Sequence, residues 1–159
     1  MLIIYKNATF SNCRTYRYSL SRIWDKKKKL VLFIGLNPST ADEEVDDPTI
    51  RRCVNYVQNW GYGGLMMVNL FAYRAALSSS LKKVKYPIGK DNDKYIMTLS
   101  KKADISVAAW GNNGNLYDRD KQVFDLIPNL MCLKLNKSGQ AAHPLYLSNN
   151  LKLIKFSGL

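Results

Sequence analysis

The residues best suited to chemistry lie in four short polar segments, each after a stretch that is apolar enough to be a buried strand. In the first segment, Gly35-Leu36-Asn37-Pro38-Ser39, Gly permits a tight turn, Pro ends the strand, and the Asn amide can donate and accept hydrogen bonds. Asn69 interrupts the second stretch near its carboxyl end, Trp110-Gly111-Asn112 follows the third, and the fourth leads to the single histidine, His143. Amides and one imidazole can position a water, read the edge of a base, or donate to a leaving group.

The elements that would position these segments are strands that alternate with helices. Apolar runs predict four strands, at about 30–36, 65–70, 104–109 and 130–135. A helix is predicted to begin at Asp47-Pro48, because Asp is a favoured N-cap and Pro fits the first helical turn. The alternation is typical of a three-layer α/β/α fold with a central, mostly parallel sheet of four strands. Two more strands are predicted near the N-terminus, at 2–5 and 16–24.

In such a sheet the carboxyl ends of the parallel strands lie at one edge, so the four polar segments are expected to meet there in one site. A chain of 159 residues without an evident linker or repeat predicts a single domain over 1–159. The residues expected to contact a ligand include and surround the amides and the imidazole. They are Gly35, Leu36, Pro38, Ser39, Asn69, Trp110, Gly111 and Asn112.

The charge of the chain favours a polyanionic partner. Lys and Arg number 24 against 12 acidic residues, a net charge of +12, and five of the acidic residues lie within Asp42–Asp47. The rest of the chain is strongly basic, which is typical of proteins that bind a polyanion, most often nucleic acid. A basic surface that serves solubility is the alternative. The candidate contacts to phosphates are Arg51, Arg52 and Arg74. For Arg51 and Arg52, the acidic loop just before them is an alternative partner. Residues 14–22 interleave Arg with Tyr and Ser, which suits phosphate contacts or a half-exposed edge strand.

Several kinds of site find no support in the sequence. There is no Gly-x-Ser-x-Gly elbow, no P-loop and no Cys-x-x-Cys pair. The cluster Asp42–Asp47 lacks the Gly and the spacing of a calcium loop, so neither a metal nor a cofactor is expected. A metal-dependent hydrolase that uses the carboxylates of Asp46 and Asp47 remains an alternative. No apolar run has the length of a membrane span, and a cytoplasmic protein without membrane contact is expected.

The four segments resemble motifs of the uracil-DNA glycosylase superfamily, in the same order and with similar spacing over about 30–148. Gly35-Leu36-Asn37-Pro38 is similar to its Gly-x-Asn-Pro or Gly-Gln-Asp-Pro loop, and Val68-Asn69-Leu70 to the strand whose Asn reads the base. Ala109-Trp110-Gly111 is similar to its Leu-Trp-Gly turn. His143-Pro144-Leu145-Tyr146-Leu147-Ser148 is similar to its His-Pro-Ser-Pro-Leu-Ser loop, with Leu145 in place of a Ser.

A nearer resemblance is to a family of uncharacterised bacterial and phage proteins, catalogued as a domain of unknown function. It is carried by Gly35-Leu36-Asn37-Pro38-Ser39-Thr40-Ala41-Asp42, Asp46-Asp47-Pro48-Thr49 and Asn69-Leu70-Phe71. This second resemblance implies no activity.

The resemblance to the glycosylases implies hydrolysis of the N-glycosidic bond of a base or modified base in DNA or a nucleotide. Asn37 would position the attacking water, Asn69 would read the base, and His143 would stabilise the leaving group. Leu147 matches the Leu that acts as a wedge in the duplex. Asn37 stands where some members carry a catalytic Asp, so Asp47 or its neighbour is the candidate carboxylate. The alternative is a non-catalytic nucleic-acid or nucleotide-binding module that keeps the same pocket.

Overall fold

Seven strands form one sheet in the computed structural model, which describes residues 2–158. They are β1 (Tyr5–Phe10), β2 (Arg17–Ile23), β3 (Leu30–Gly35), β4 (Gly64–Asn69), β5 (Ile105–Ala108), β6 (Met131–Cys132) and β7 (Ile154–Lys155). Their order across the sheet is β1-β2-β4-β3-β5-β6-β7. β3 pairs in parallel with β4 and β5, and β5 pairs in parallel with β6, whereas the three other pairs are antiparallel.

The prediction of a four-stranded, mostly parallel sheet is therefore wrong in size and in character. The hairpin β1-β2 joins the sheet through antiparallel pairing of β2 with β4, and β7 adds an antiparallel strand at the other end. The four predicted strands are neighbours in this sheet, with β3 between β4 and β5 and with β6 beyond β5. The strand predicted at 2–5 is displaced, since β1 begins at Tyr5, and the strand predicted at 130–135 shortens to Met131–Cys132.

Three α-helices connect these strands in the described residues: α1 (Pro48–Asn59), α2 (Asn92–Lys102) and α3 (Arg119–Leu126). A 3-10 helix occupies Ser78–Lys83, and the segment Asn112–Asp118 contains 3-10 turns that are interrupted at Leu116 and Tyr117, where the backbone is not helical. The third α-helix begins only at Arg119, because Tyr117 and Asp118 before it have φ of 54° and 55°, which a right-handed helix cannot contain. Within residues 2–158, no helix combines the length and the apolar character that crossing a membrane requires.

The helices cover both faces of the sheet. Successive side chains of a strand point to opposite faces, so β3 contributes to two separate hydrophobic clusters. Val31 and Phe33 pack in a cluster with α1, whereas Leu32 and Ile34 pack in a second cluster with α2 and α3. The central strands are thus buried between two helical layers, and the loops at their carboxyl ends are left to form an open edge.

Candidate functional site

A cleft of about 580 Å³ opens at the carboxyl edge of the parallel strands. Its walls come from the segments after β3 and β4 and from the loops after β5 and β6. β3 has β4 on one side and β5 on the other, so the strand order changes direction at β3. Open α/β sheets form their crevices at the carboxyl ends of the strands at such a position. Asn37, Asn69 and His143 all line this cleft, so the predicted convergence of the polar segments is present.

Most of the residues predicted to form the site lie in the wall of the cleft. These are Gly35, Leu36, Asn37, Pro38, Ser39, Asp47, Asn69, Trp110, Gly111, Asn112 and His143. Four predicted residues are absent from the described lining of the cleft, namely Leu147, Arg51, Arg52 and Arg74. The structure therefore brings the amides and the imidazole together but leaves those arginines outside.

Asn37 is held by its nitrogen, so its amide oxygen remains available. Nδ2 donates to the backbone oxygens of Pro38 at 3.2 Å and of Ala75 at 2.9 Å. Because only the NH₂ end of the amide can donate to two carbonyls, these bonds determine which end is which. No hydrogen bond to Oδ1 occurs within residues 2–158, and this oxygen can accept one from a water or a ligand in the cleft.

Asn69 ends β4 with its side chain only 4% exposed. Its Oδ1 accepts a hydrogen bond from Arg17 Nη2 at 3.4 Å. Asn69 pairs with Gly35 of β3, and its Nδ2 lies over that glycine. A Cβ added at Gly35 would be 2.7 Å from this nitrogen. Nδ2 has no hydrogen-bond partner in the described part of the chain, so Asn69 offers a donor to a ligand.

His143 presents a neutral imidazole with a defined tautomer. Its Nδ1 accepts a hydrogen bond from the backbone N–H of Leu145 at 3.2 Å, which places the ring proton on Nε2. Burial lowers the pKa of His143 from its ordinary value, and the negative charge of Asp47 opposes this effect in part. At neutral pH the ring is thus uncharged, and Nε2 can donate to an atom that gains negative charge.

Asp47 is the only carboxylate that lines the cleft in the described residues. One of its oxygens, Oδ1, accepts from the backbone N–H of Ile50 at 2.9 Å and so caps α1. The predicted helix start is confirmed by this bond and by Pro48 in the first turn. Asp47 therefore caps α1 and also lines the cleft.

The neighbouring acidic residues serve the loop rather than the cleft. Arg22, which is fully buried, donates from Nε to Asp46 Oδ1 at 2.7 Å. Glu43 pairs with Arg14, and this ion pair lowers the pKa of Glu43 to about 2. Within residues 2–158, no cluster of three or more His, Cys, Asp or Glu side chains is arranged to hold a metal ion. Asp46 is therefore not placed to act beside Asp47 as a second carboxylate in the cleft.

Trp110 forms part of the cleft wall, but its indole belongs to the core. The residue is 1% exposed, and Nε1 donates to Gln140 Oε1 at 2.8 Å. The adjacent Gly111 has a φ of 77°, a conformation that favours glycine, and it turns the chain along the cleft. Asn112 Oδ1 accepts from Asn136 Nδ2 at 2.9 Å, which ties the loop after β5 to the loop after β6. The side chains of Trp110 and Asn112 thus hold the site together and are already committed within the protein.

Arg17, at the start of β2, lines the cleft and was not among the predicted site residues. It is 3% exposed, donates to Asn69 Oδ1, and donates from Nη1 to the backbone oxygen of Ala41 at 3.1 Å. The available signal was the interleaving of Arg with Tyr and Ser over 14–22. That pattern does not show which arginine is buried, because the answer depends on the strand that pairs with β2.

Residues 17–145 match the protein family described as protein of unknown function (DUF1643). The chain belongs to this family. The match begins at Arg17, extends beyond His143, and so includes every cleft residue named above. It agrees with the resemblance to an uncharacterised family. Comparisons with curated proteins and with solved structures found no match.

Leu147, beyond the part of the chain that matches DUF1643, does not fit the role of a wedge. Its side chain is partly buried and packs against the cluster on the α1 face. Tyr146 is instead 99% exposed and has a φ of 67°. This tyrosine follows Leu145, which lines the cleft, and it is the freely exposed apolar side chain of the loop. The sequence did not indicate that Tyr146 is exposed, because its unusual backbone conformation determines that Leu147, and not Tyr146, faces the core.

The arginines predicted to bind phosphates are not part of the lining of the cleft. Arg74 lines a second cavity of about 330 Å³, whose lining shares Ser39 with the cleft. Its Nη1 donates to the backbone oxygen of Arg14 at 3.2 Å. Arg51 and Arg52 lie on α1, where Arg51 donates to the backbone of the acidic loop and Arg52 to Asn149. The acidic loop, the alternative partner considered from the sequence, thus contacts Arg51.

Proposed function

We propose that this member of the DUF1643 family hydrolyses the N-glycosidic bond of a base or modified base in DNA or a nucleotide. The observation that carries the proposal is that Asn37, Asn69 and His143 line one cleft, each with a polar atom that no described residue binds. These atoms are an acceptor on Asn37 (Oδ1), a donor on Asn69 (Nδ2) and a donor on His143 (Nε2). The set matches the needs of a reaction in which water attacks a sugar carbon and a base departs.

In the proposed reaction, the bond between the sugar carbon and the base nitrogen breaks, and the base keeps the electron pair. His143 Nε2 donates to the negative charge that develops on the departing base. Asn37 Oδ1 accepts from the water that bonds to the sugar carbon, while Asp47 stabilises the positive charge on the sugar and takes the proton that the water loses. Asn69 Nδ2 donates to an oxygen on the edge of the base and so favours bases that carry an acceptor there.

The resemblance to the uracil-DNA glycosylase superfamily supports the same assignment of roles. The motifs that carry it contain Asn37, Asn69 and His143, and these three residues lie at the cleft. The amide at Asn37 cannot act as a base, so the proposal gives the proton to Asp47. The net charge of +12 supports a polyanionic substrate, DNA above all.

A non-catalytic module that binds a nucleotide or nucleic acid is the second candidate. It is favoured by the commitment of Asp47 Oδ1 to capping α1, because this bond leaves only the other carboxylate oxygen to act on a water. The two candidates differ in one observable, which is whether a free base ever appears.

The deciding experiment incubates the protein with DNAs that carry uracil, mismatches or modified bases, and with the corresponding nucleotides. Mass spectrometry then measures the released base. For a substrate that is cleaved, we expect His143→Ala to lower turnover by about 10²–10³, as for the loss of one donor to an oxyanion, with little change in ground-state binding.

Two comparisons complete the test. Asn37→Ala should lower turnover, whereas Asn55→Ala, an exposed amide on α1, should not. If the protein binds these nucleic acids and no base is released from any of them, the binding module is correct. If His143→Ala lowers the melting temperature and leaves turnover unchanged, the role assigned to His143 is wrong.

A further inference from the structure

Arg17 is a cleft residue that keeps an unpaired N–H donor within the described part of the protein. Its side chain is 3% exposed, and its hydrogen bonds go to the backbone oxygen of Ala41 and to Asn69 Oδ1. Its Nε is buried and has no hydrogen-bond partner among residues 2–158. Since buried N–H groups are nearly always paired, this nitrogen requires an acceptor that the described protein atoms do not supply.

Arg17 also carries a charge that no described residue neutralises. None of the ion pairs within residues 2–158 includes it. Burial lowers the pKa of Arg17 to about 10, so the guanidinium remains protonated at neutral pH. The charge of Asp47 favours this cation without forming an ion pair, while Arg22 and Arg74 disfavour it. A buried cation in this setting is costly unless an anion joins it.

The backbone of β2 is built to bring this side chain to the cleft. Ser19 pairs with Thr9 on β1, but the next residue of β1, Phe10, pairs with Arg17, so Tyr18 is skipped by a β-bulge. Tyr18 then stacks on α2, whereas Arg17 reaches the loop that precedes α1. Bulges near sites commonly re-aim one side chain in this way.

The strand order supplies the second half of this placement. β2 runs antiparallel to β4, so the start of β2 lies beside the carboxyl end of β4. Arg17 therefore stands next to Asn69, the amide proposed to read the base, and both line the same cleft. Any group bound by Arg17 is within the reach of a ligand that contacts Asn69.

We infer that Arg17 binds a phosphate group of the ligand that occupies the cleft. A planar guanidinium matches phosphate oxygens and forms charge-assisted hydrogen bonds to them. The choice of phosphate over other anions rests on the proposed function, because phosphate is the group that is anionic in a nucleotide at neutral pH. The phosphate belongs either to a free mononucleotide or to the DNA backbone.

The test is calorimetric titration of the full chain at low salt with four probes: inorganic phosphate, a nucleoside 5′-monophosphate, the matching nucleoside, and a short single-stranded DNA. We expect Arg17→Gln to weaken the binding of phosphate and of the monophosphate by about 10- to 100-fold, and to leave the nucleoside unaffected. Arg17→Lys keeps the charge and loses the planar guanidinium, so its affinity for phosphate should lie between that of the wild-type protein and that of Arg17→Gln. A monophosphate that binds more tightly than the DNA identifies a free nucleotide as the source, and the reverse identifies the backbone.

Lys101→Gln is the matched control, since it removes one positive charge from an exposed position at the end of α2. If Arg17→Gln and Lys101→Gln have equal effects on phosphate binding, or if the wild-type protein binds none of the charged probes, the inference is overturned. Base release plays no part in these titrations. If the protein binds phosphate through Arg17 and releases no base, the proposed reaction is wrong, whereas the inference about Arg17 stands.

A measurement on the wild-type chain covers the case in which Arg17→Gln does not fold. In a ¹⁵N NMR spectrum, the Nε–H signal of Arg17 should shift on addition of inorganic phosphate, together with the side-chain amide of Asn69. Saturating phosphate that leaves both signals in place would contradict the assignment.

Discussion

At the scale of single residues, the site depends on which atom of each side chain the protein itself uses. The side-chain nitrogen of Asn37 donates to two backbone carbonyls, and Nδ1 of His143 accepts from a backbone N–H. Each bond leaves the opposite atom for a ligand. The chemistry available to the cleft is thus an acceptor at Asn37 and a donor at His143, and neither follows from the residue type alone.

The first prediction is that Asn37→Asp destabilises the fold. The substitution replaces Nδ2, which donates to the carbonyls of Pro38 and Ala75, by an oxygen that can only repel them. We expect a loss of about 1–3 kcal/mol in the free energy of unfolding at neutral pH, measured in urea. Asn55→Asp, on the exposed face of α1, is the control and should cost much less. Equal stabilities of the two variants would show that Asn37 is not held as described.

The second prediction concerns Cys13, which is exposed while Cys53 and Cys132 are buried. The hydroxyl of Thr15, 3.0 Å from Sγ, is the main cause that lowers the pKa of Cys13 to about 7. Because the thiolate is the reactive form, alkylation by iodoacetamide should rise with pH and reach half its maximal rate near pH 7. Burial raises the pKa of the two other thiols, so they should react only after unfolding.

Peptide mass spectrometry over a range of pH gives the rate for each cysteine. Thr15→Val removes the hydroxyl and should move the half-maximal rate of Cys13 to higher pH. An unchanged profile in this variant would contradict the proposed cause of the shift.

At the scale of elements, the N-terminus of α1 is shared between the fold and the site. Asp47 caps the helix with one carboxylate oxygen and is also the acidic residue of the cleft in the described chain. The acidic loop before it is held by Arg22, which is fully buried and pairs with Asp46. The position of the cleft carboxylate is therefore set by the cap and by this internal ion pair.

The third prediction separates the two roles of Asp47. Asp47→Ala removes the cap and should lower the free energy of unfolding by about 0.5–2 kcal/mol. Asp47→Asn keeps an oxygen that can accept from the N–H of Ile50, so it should retain most of the stability and lose the negative charge. Urea unfolding and base release are measured for both variants. Full turnover in Asp47→Asn would show that the carboxylate has no catalytic role.

At the scale of the whole molecule, the distribution of charge bears on the partner. The acidic loop binds Arg14, Arg22 and Arg51 within the protein, and much of the remaining positive charge lies elsewhere on the chain. Arg74 lines a cavity whose residues continue into the cleft, so it is the best placed of the predicted arginines to contact a backbone that enters the site.

The fourth prediction is that binding of DNA weakens steeply with salt, because each phosphate contact releases a counterion. Fluorescence anisotropy with a labelled DNA should give a linear fall of log affinity with log salt. Arg74→Gln should reduce this slope by about 1. Lys101→Gln, at the far end of α2, should change it less. Affinity that is undetectable at low salt, or constant as salt rises, would show that the basic surface serves solubility.

Local patterns predicted much of the fold and of the site. The apolar runs that became β3 and β4 are buried on both faces, and Asp47-Pro48 is a helix start whose capping bond forms within one turn. Parallel strands share a carboxyl edge, so the approach of Asn37, Asn69 and His143 followed from the order of elements along the chain. These features depend on residues close together in sequence or on a rule of topology.

The remaining features depend on contacts between distant segments. The pairing of β2 with β4, together with a bulge at Tyr18, carries Arg17 to the cleft, and no short stretch of sequence encodes that partner or that irregularity. The indole of Trp110 turns to Gln140 in the core, and Leu147 packs inward while its neighbour is exposed. In each case long-range packing and hydrogen bonding decide where the side chain lies, because the free energy of burial depends on the surroundings that the folded chain provides.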